Sequence, residues 1–424
     1  MPKLAFISAD KAVSSVRSGD HIHLSSIASV PHILIEALCQ RAGELHDVHF
    51  HHFHTEGPAP YGSAEYAYAF FDQGFFVGPN LRGSVQSGVA DYLPAHLFES
   101  QALYRSGVLP CHVAMVQVSE PIDGMVSLGT SVDCSVAALE VARERIAVVN
   151  PNVPFAYGDL IPLERFTALV KDDRPLITKE YVQPSETDLT IGRHCAELVP
   201  DGACLQMGIG SLPNAVCASL KGHRHLGLHT EMFADGALEL IRSGVIDGSL
   251  KAIDRGKVVA SFLLGSDEVY RFIDHNPDVL MRDIAYTNDP RIISCNPQVV
   301  SINSATEIDL TGQVCADSIG TRIYSGTGGQ LDFVRGAKLS CGGKAIIAMA
   351  SRTSHGVAKI VPTLRPGAGV VTPRADVQWV VTEYGAVNLY GKSLQERARL
   401  LTSIAHPEDR EALERAAFER FGRR

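Results

Sequence analysis

The sequence predicts an α/β fold made of two similar halves, and three observations carry that expectation. Short β-branched apolar runs alternate with helical stretches, glycine-rich turns stand where an apolar run gives way to a helix, and several segments recur in the same order in both halves. At 424 residues the chain exceeds what one hydrophobic core usually supports, which favours two domains.

The first recurrence pairs Gly19-Asp20-His21-Ile22-His23-Leu24, Pro31 and Glu36-Ala37-Leu38 with Gly202-Ala203-Cys204-Leu205-Gln206-Met207, Pro213 and Ala218-Ser219-Leu220. A one-residue loop deletion before the proline reconciles the two copies. The second pairs His54-Thr55-Glu56 with His229-Thr230-Glu231, and the third pairs Ile146–Val149 through Gly158 with Trp379–Thr382 through Gly391. Each copy reads as apolar run, small-residue turn, helix and apolar run, as in βαβ units.

The join is expected in the polar, proline-containing stretch between Lys171 and Ser185, giving domains 1–180 and 181–424. Ser185-Glu186-Thr187-Asp188 has the form of a capping box opening a helix that ends before Pro200-Asp201-Gly202. Lys344–Met349 and Gln378–Val381 read as buried strands.

A formal net charge of −9 argues against nucleic acid as the main partner, because phosphate binding needs a basic surface. No apolar run is long enough to cross a bilayer, and the start Met1–Ser8 lacks the features of a signal peptide, so a cytoplasmic protein is expected. The nine cysteines lie scattered with no CxxC pair, as reduced thiols would.

Leu205-Gln206-Met207-Gly208-Ile209-Gly210-Ser211-Leu212-Pro213 places two glycines between a strand and a helix, where free backbone amides can hold a phosphate, a carboxylate or an oxyanion. Pro213 occupies the third glycine position of the dinucleotide fingerprint, which excludes that motif and leaves a bland structural turn as the alternative. Gly326-Thr327-Gly328-Gly329 is a second glycine loop, either set against a ligand or a mobile surface loop. Lys359 to Gly369 fits a phosphate contact or an ordinary hairpin equally.

Glu231 follows an apolar run and is expected at a strand end, where open α/β sheets place their ligand sites and where a carboxylate can act as nucleophile or base. The histidine-rich run His49–His54 leaves only two histidines per strand face and lacks the spacing of a metal site, so it reads as a partly buried strand with no metal expected.

Together, Met207–Val216, Leu228–Gly236, Val314–Gly320, Tyr324–Phe333 and Val381–Gly385, with Glu56–Pro60 and Phe76–Asn80 in the first half, resemble the acetyl-CoA hydrolase/transferase family, 4-hydroxybutyrate CoA-transferase type. The resemblance spans nearly the whole chain. It implies two open α/β domains of the CoA-transferase type with the active site in the cleft between them, 1–180 forming the acid-side wall and 181–424 carrying the catalytic glutamate and the CoA loops.

The same resemblance selects Glu231 over Glu56 as the catalytic residue, implying CoA transfer from an acyl-CoA to a small carboxylate through a glutamyl-CoA thioester. It implies CoA contacts at Gly208, Ile209, Gly210, Ser211, Leu212, Gly326, Gly328 and Gly329, and Lys359 is added for a CoA phosphate from its charge and position. Gly208, Ile209, Gly328, Gly329, Asn303 and Glu383 are expected at the reacting centre, and Glu56, Gly78 and Asn80 against the acid, with His54, Phe76 and Arg82 near them as further candidates for selectivity. Coenzyme A is then a co-substrate with no tightly bound cofactor, and a homodimer is implied. A thioester hydrolase using the same glutamate and a silent CoA-binding protein are the alternatives.

Overall fold

A computed structural model of the chain describes residues 5–422. They fall into two compact units, Met1–Glu180 with Val259–Thr287 and Tyr181–Val258 with Asn288–Arg424.

The first unit is built on seven parallel strands: β1 (His21–Leu24), β2 (Val48–His51), β3 (Phe70–Gly74), β4 (Asp91–Tyr92), β5 (Val113–Val118), β6 (Glu144–Val149) and β7 (Ala168–Lys171), in the order β7-β6-β5-β1-β2-β3-β4. Parallel sheets covered on both faces need continuous apolar strands, and every residue of β5 is buried. Its Val113 and Met115 pack with Ile22, Leu24, Phe50, Ile146 and with Leu34 and Leu38 of helix α1 (His32–Gln40). Each such side chain contributes about 1.5–3 kcal/mol when fully buried.

The second unit carries β8 (Cys204–Met207), β9 (Gly227–Leu228), β10 (Val299–Asn303), β11 (Lys344–Ala348), β12 (Trp379–Thr382) and β13 (Gly385–Asn388), in the order β9-β8-β10-β11-β12-β13. All pairings are parallel except the closing hairpin β12–β13. Helix α2 (Glu186–Ala196) opens on the expected capping box: Ser185 Oγ accepts from the Asp188 amide at 3.1 Å, and Asp188 Oδ2 accepts from the Ser185 amide at 3.0 Å. Helices α3 (Ser211–Ser219) and α4 (Gln330–Leu339) follow the two glycine loops, and Phe333 and Val334 of α4 pack on Val299, Ala345, Ile347 and Val380.

Two expectations need correction. The division into 1–180 and 181–424 is not contiguous, because Val259–Thr287 packs with the first unit. Val279–Met281 pairs in parallel with Tyr157–Gly158, and a Cβ on Gly158 would overlap the Met281 backbone, so only glycine fits. Tyr270 Oη also donates to the Ile177 carbonyl at 2.7 Å. Nothing local marks such a return, because its strand partner is over a hundred residues away.

The recurrence holds for its first two segments: β1 and β8 occupy equivalent places, as do β2 and β9, each followed by His-Thr-Glu. The third segment pair is not equivalent. The strand two places from β8 is β11, so Lys344–Ala348, not Trp379–Thr382, stands where Glu144–Val149 stands in the first sheet. Buried parallel strands are too alike in composition for a short match to distinguish neighbours.

Candidate active site

Strand β8 has β9 on one side and β10 on the other, so the order reverses at its end, the crevice where open α/β sheets bind ligands. Gly208, Ile209 and Gly210 leave β8 there and Ser211 and Leu212 begin α3. Gly210 adopts φ 109°, accessible only to glycine, and a Cβ at Gly208 or Gly210 would meet no atom, so the main chain faces open space. Pro213 lies in the first turn of α3, where its missing N–H costs no helical bond.

Glu231 lies in the bend between β9 and the next short strand, Met232–Phe233. The preceding Thr230 is fully buried and fixes that bend: its Oγ1 donates to the Met207 carbonyl at 2.9 Å and accepts from the Met207 amide at 3.3 Å. Glu231 is therefore tied to the end of β8 by its neighbour.

The Glu231 carboxyl is held from the opposite side. Its Oε2 accepts from Asn288 Nδ2 at 2.9 Å, and the Gly329 amide also donates to the carboxyl. Burial pushes its pKa up to about 7; the Asn288 bond opposes that rise, Asp332 adds to it and the Gly329 amide opposes it. A Cβ on Gly329 would overlap both the carboxylate and the Asn288 amide, so glycine at this position is a steric requirement. Gly328 turns the loop at φ 56°, and Gly326 opens it.

Asn303, at the end of β10, forms a reciprocal amide pair with Gln206 of β8, with Asn303 Nδ2 3.1 Å from Gln206 Oε1 and Gln206 Nε2 3.4 Å from Asn303 Oδ1. Glu383 follows β12 and caps Ser351, accepting from its amide at 2.8 Å and its hydroxyl at 2.6 Å. Burial lowers the Lys359 pKa and the Glu383 charge opposes that. A cavity of about 410 Å³ runs past Ser304, Thr306, Tyr324, Ser325, Lys359 and Arg365, next to Asn303 and Gly326 in sequence.

Within the second unit the structure thus joins Glu231 to Gly329, and gives Asn303 and Glu383 partners of their own. Asn288, Asp332, Gln206 and Ser351 were not among the expected site residues. Gln206 carried a signal, as a polar residue inside a buried strand, and Asp332 lies three positions beyond a glycine loop. Asn288 has no local signature.

In the first unit, Glu56 Oε1 lies 2.8 Å from Lys179 Nζ and 3.3 Å from His54 Nε2. Asn80 Nδ2 donates to the Thr55 and Gly57 carbonyls, each at 3.0 Å, and a Cβ on Gly78 would come within 2.6 Å of His54 and 2.8 Å of Asn80. The histidine run is largely self-satisfied: His51 Nε2 and His21 Nδ1 are 2.8 Å apart, His21 stacks on His49 at 4.5 Å, and His52 pairs with Asp72 at 2.8 Å.

The chain belongs to the acetyl-CoA hydrolase/transferase family: residues 3–178 match the model of its N-terminal domain and residues 265–417 that of its C-terminal domain. It is 44% identical over 419 residues to the succinyl-CoA:acetate/propanoyl-CoA:succinate CoA transferase of Fasciola hepatica, covering 97% of this chain and 87% of that protein. It is 40% identical to the 4-hydroxybutyrate coenzyme A transferase of Clostridium kluyveri, covering 99% and 98%. The crystal structure of RipA from Yersinia pestis superposes with a TM-score of 0.92 at 36% identity, covering 98% of this chain and 97% of that one. Among the described residues no helix is long and apolar enough to cross a membrane.

Proposed function

We propose that this chain is an acyl-CoA:carboxylate CoA-transferase with Glu231 as nucleophile. The observation that carries the reading is the Glu231 carboxyl at a strand end, desolvated so that its pKa is pushed up to about 7 and held by two N–H donors on one side. A carboxylate so tuned is ionised in useful amount near neutral pH and more nucleophilic than a solvated one.

In this reading one Glu231 oxygen attacks the thioester carbonyl, forming an acyl-glutamyl anhydride and expelling CoA thiolate. The thiolate then attacks the glutamyl carbon, the acid leaves, and a glutamyl-CoA thioester remains. An incoming carboxylate reverses the sequence with its own acyl group. Each step passes through an oxyanion, for which the Gly329 amide and the amides of Gly208 and Ile209 are donors, supported by Gly328. Asn303 and Glu383 border the reacting centre, Gly210, Ser211, Leu212 and Gly326 contact CoA, and Lys359 meets a CoA phosphate. Glu56, Gly78 and Asn80 select the acid. A cytoplasmic homodimer working on soluble acyl-CoA and acid completes the proposal.

The test is intact-mass spectrometry after incubation with several acyl-CoAs, trapping with borohydride or hydroxylamine, and peptide mapping. The expected result is modification confined to the Glu231 peptide and lost in Glu231→Ala. Label on Glu56, or normal turnover of Glu231→Ala, would overturn it. Release of free CoA without any carboxylate acceptor would make the enzyme a hydrolase.

A further inference from the structure

The two His-Thr-Glu segments are anchored in different ways. In the second unit the Thr230 hydroxyl ties the segment to Met207. In the first unit Thr55 Oγ1 pairs instead with Tyr61 Oη at 3.1 Å, and the turn after β1 makes the tie. The Phe53 amide donates to Ser26 Oγ at 3.0 Å, the Ile27 amide to the His54 carbonyl at 2.6 Å, and the Glu56 amide to the Ile27 carbonyl at 3.4 Å. The last two form a parallel bridge between Ile27 and Thr55.

Ile27 stands at φ 57°, in the left-handed region that a β-branched residue avoids because its Cβ crowds the neighbouring carbonyl. Three residues past the strand end, both units take a positive φ. In the second unit that place is Gly210, at φ 109° with no atom near a would-be Cβ. In the first it is an isoleucine whose side chain is fully buried. Glycine would reach this φ without strain. Strain of this kind persists only where the surroundings over-determine the conformation, and it gathers at sites whose geometry matters. Here the buried side chain anchors the turn, while the amide and the carbonyl of one residue are both spent on the 54–56 segment. Rotation of φ into the ordinary negative range would turn that amide relative to the carbonyl and break the bridge on one side.

Resting on the reading of Glu56, Gly78 and Asn80 as the residues that select the acid, we infer that Ile27 is a positioning residue for acid selectivity. Its strained peptide fixes the main chain of Glu56, and its buried, branched side chain keeps that peptide from relaxing. The order passes along the segment: Asn80 Nδ2 holds the Thr55 and Gly57 carbonyls on either side of Glu56, and Glu56 Oε1 holds Lys179. A wall fixed in advance discriminates between acids by small differences of contact that a loose wall would average away. No bond is made or broken at Ile27.

The experiment measures transfer from propanoyl-CoA to acetate, butyrate and succinate by wild type, Ile27→Gly and Ile27→Val, beside amide hydrogen exchange over residues 53–57. Ile27→Gly frees the turn, so the KM for the acid should rise by about three- to tenfold and the ratios of kcat/KM between acids should narrow by a similar factor. The KM for propanoyl-CoA and the labelling of Glu231 should stay as in wild type, and exchange of the Glu56 amide should quicken by about tenfold. Ile27→Val keeps the branch at Cβ and most of the buried bulk, and should bring the acid KM back to within about twofold of wild type. A merely structural role would lower kcat with every substrate alike and leave the ratios between acids in place. If Ile27→Gly does not fold, Ser26→Ala, which removes the acceptor of the Phe53 amide, should give the same selective rise by about two- to threefold. Acid and acyl-CoA KM values that move together, or acid ratios unchanged in the folded variants while Glu56→Gln alters them, overturn the role of Ile27 alone. Acid ratios unmoved by Glu56→Gln as well overturn the reading of Glu56 as the residue that selects the acid, and with it this one.

Discussion

Glu56 and Glu231 follow equivalent strands of two similarly wound sheets, each preceded by the same His-Thr dipeptide, yet they have opposite surroundings. Glu56 is paired with the Lys179 ammonium and lies beside His54. Glu231 is met by two neutral N–H donors and by a second carboxylate. The sheet topology places a carboxylate at this position, and residues arriving from remote parts of the chain decide whether it rests in an ion pair or is desolvated among neutral donors.

The largest expected effect breaks that contrast outright. Glu231→Gln should lower transfer by at least about 10³-fold, while Glu56→Gln should retain labelling at Glu231 and change chiefly the KM for the acid, measured by steady-state kinetics with several carboxylates. Gly329→Ala comes next: the backbone amide remains, but the added methyl group would displace the Glu231 carboxyl from it, for a loss of about 10²–10³-fold in kcat. Lys179→Met makes Glu56 resemble Glu231 by removing its cation, and should raise the KM for the carboxylate by about three- to tenfold without abolishing the covalent intermediate.

Stability sharpens the comparison. Burial raises the Glu231 pKa above its unfolded value, so its ionisation disfavours the folded state increasingly as pH climbs from about 4.5 to 7. Glu231→Gln should therefore raise the melting temperature at pH 8 by about 2–4 °C, and by less at pH 5. The first unit shows the reverse sense. Burial lowers His23 and His54 to about 4 and His51 to about 3, so the unfolded chain binds more protons below about pH 6.5. Stability present above that pH is lost as it falls toward 4, and hydrogen exchange across His21–Leu24 and Val48–His51 should rise before that across Val299–Asn303 and Lys344–Ala348.

The capping box at Ser185, the buried strands and the glycine turn after Met207 were legible because each is a local device whose residues lie within a few positions of one another. The His-Thr-Glu pair was legible too, as a repeat. The third recurrence misled, since buried parallel strands share a composition that does not identify their place in a sheet. Asn288 and Asp332 could not be read as one group, because 57 and 101 residues separate them from Glu231. Choosing Glu231 over Glu56 required the family resemblance. Their distinguishing neighbours, Lys179 for one and Asp332 for the other, each lie more than a hundred residues away in sequence.

The pairing of Tyr157–Gly158 with Val279–Met281 bears on the order in which the protein is made. A ribosome that has delivered residue 180 has released most of the first unit but not the strand it needs. Residues 181–258 must emerge before that strand does, so the nascent first unit waits, open-edged, while part of its successor is already in solution. Pausing translation between 180 and 287 would lengthen that wait, and chaperone dependence should concentrate there.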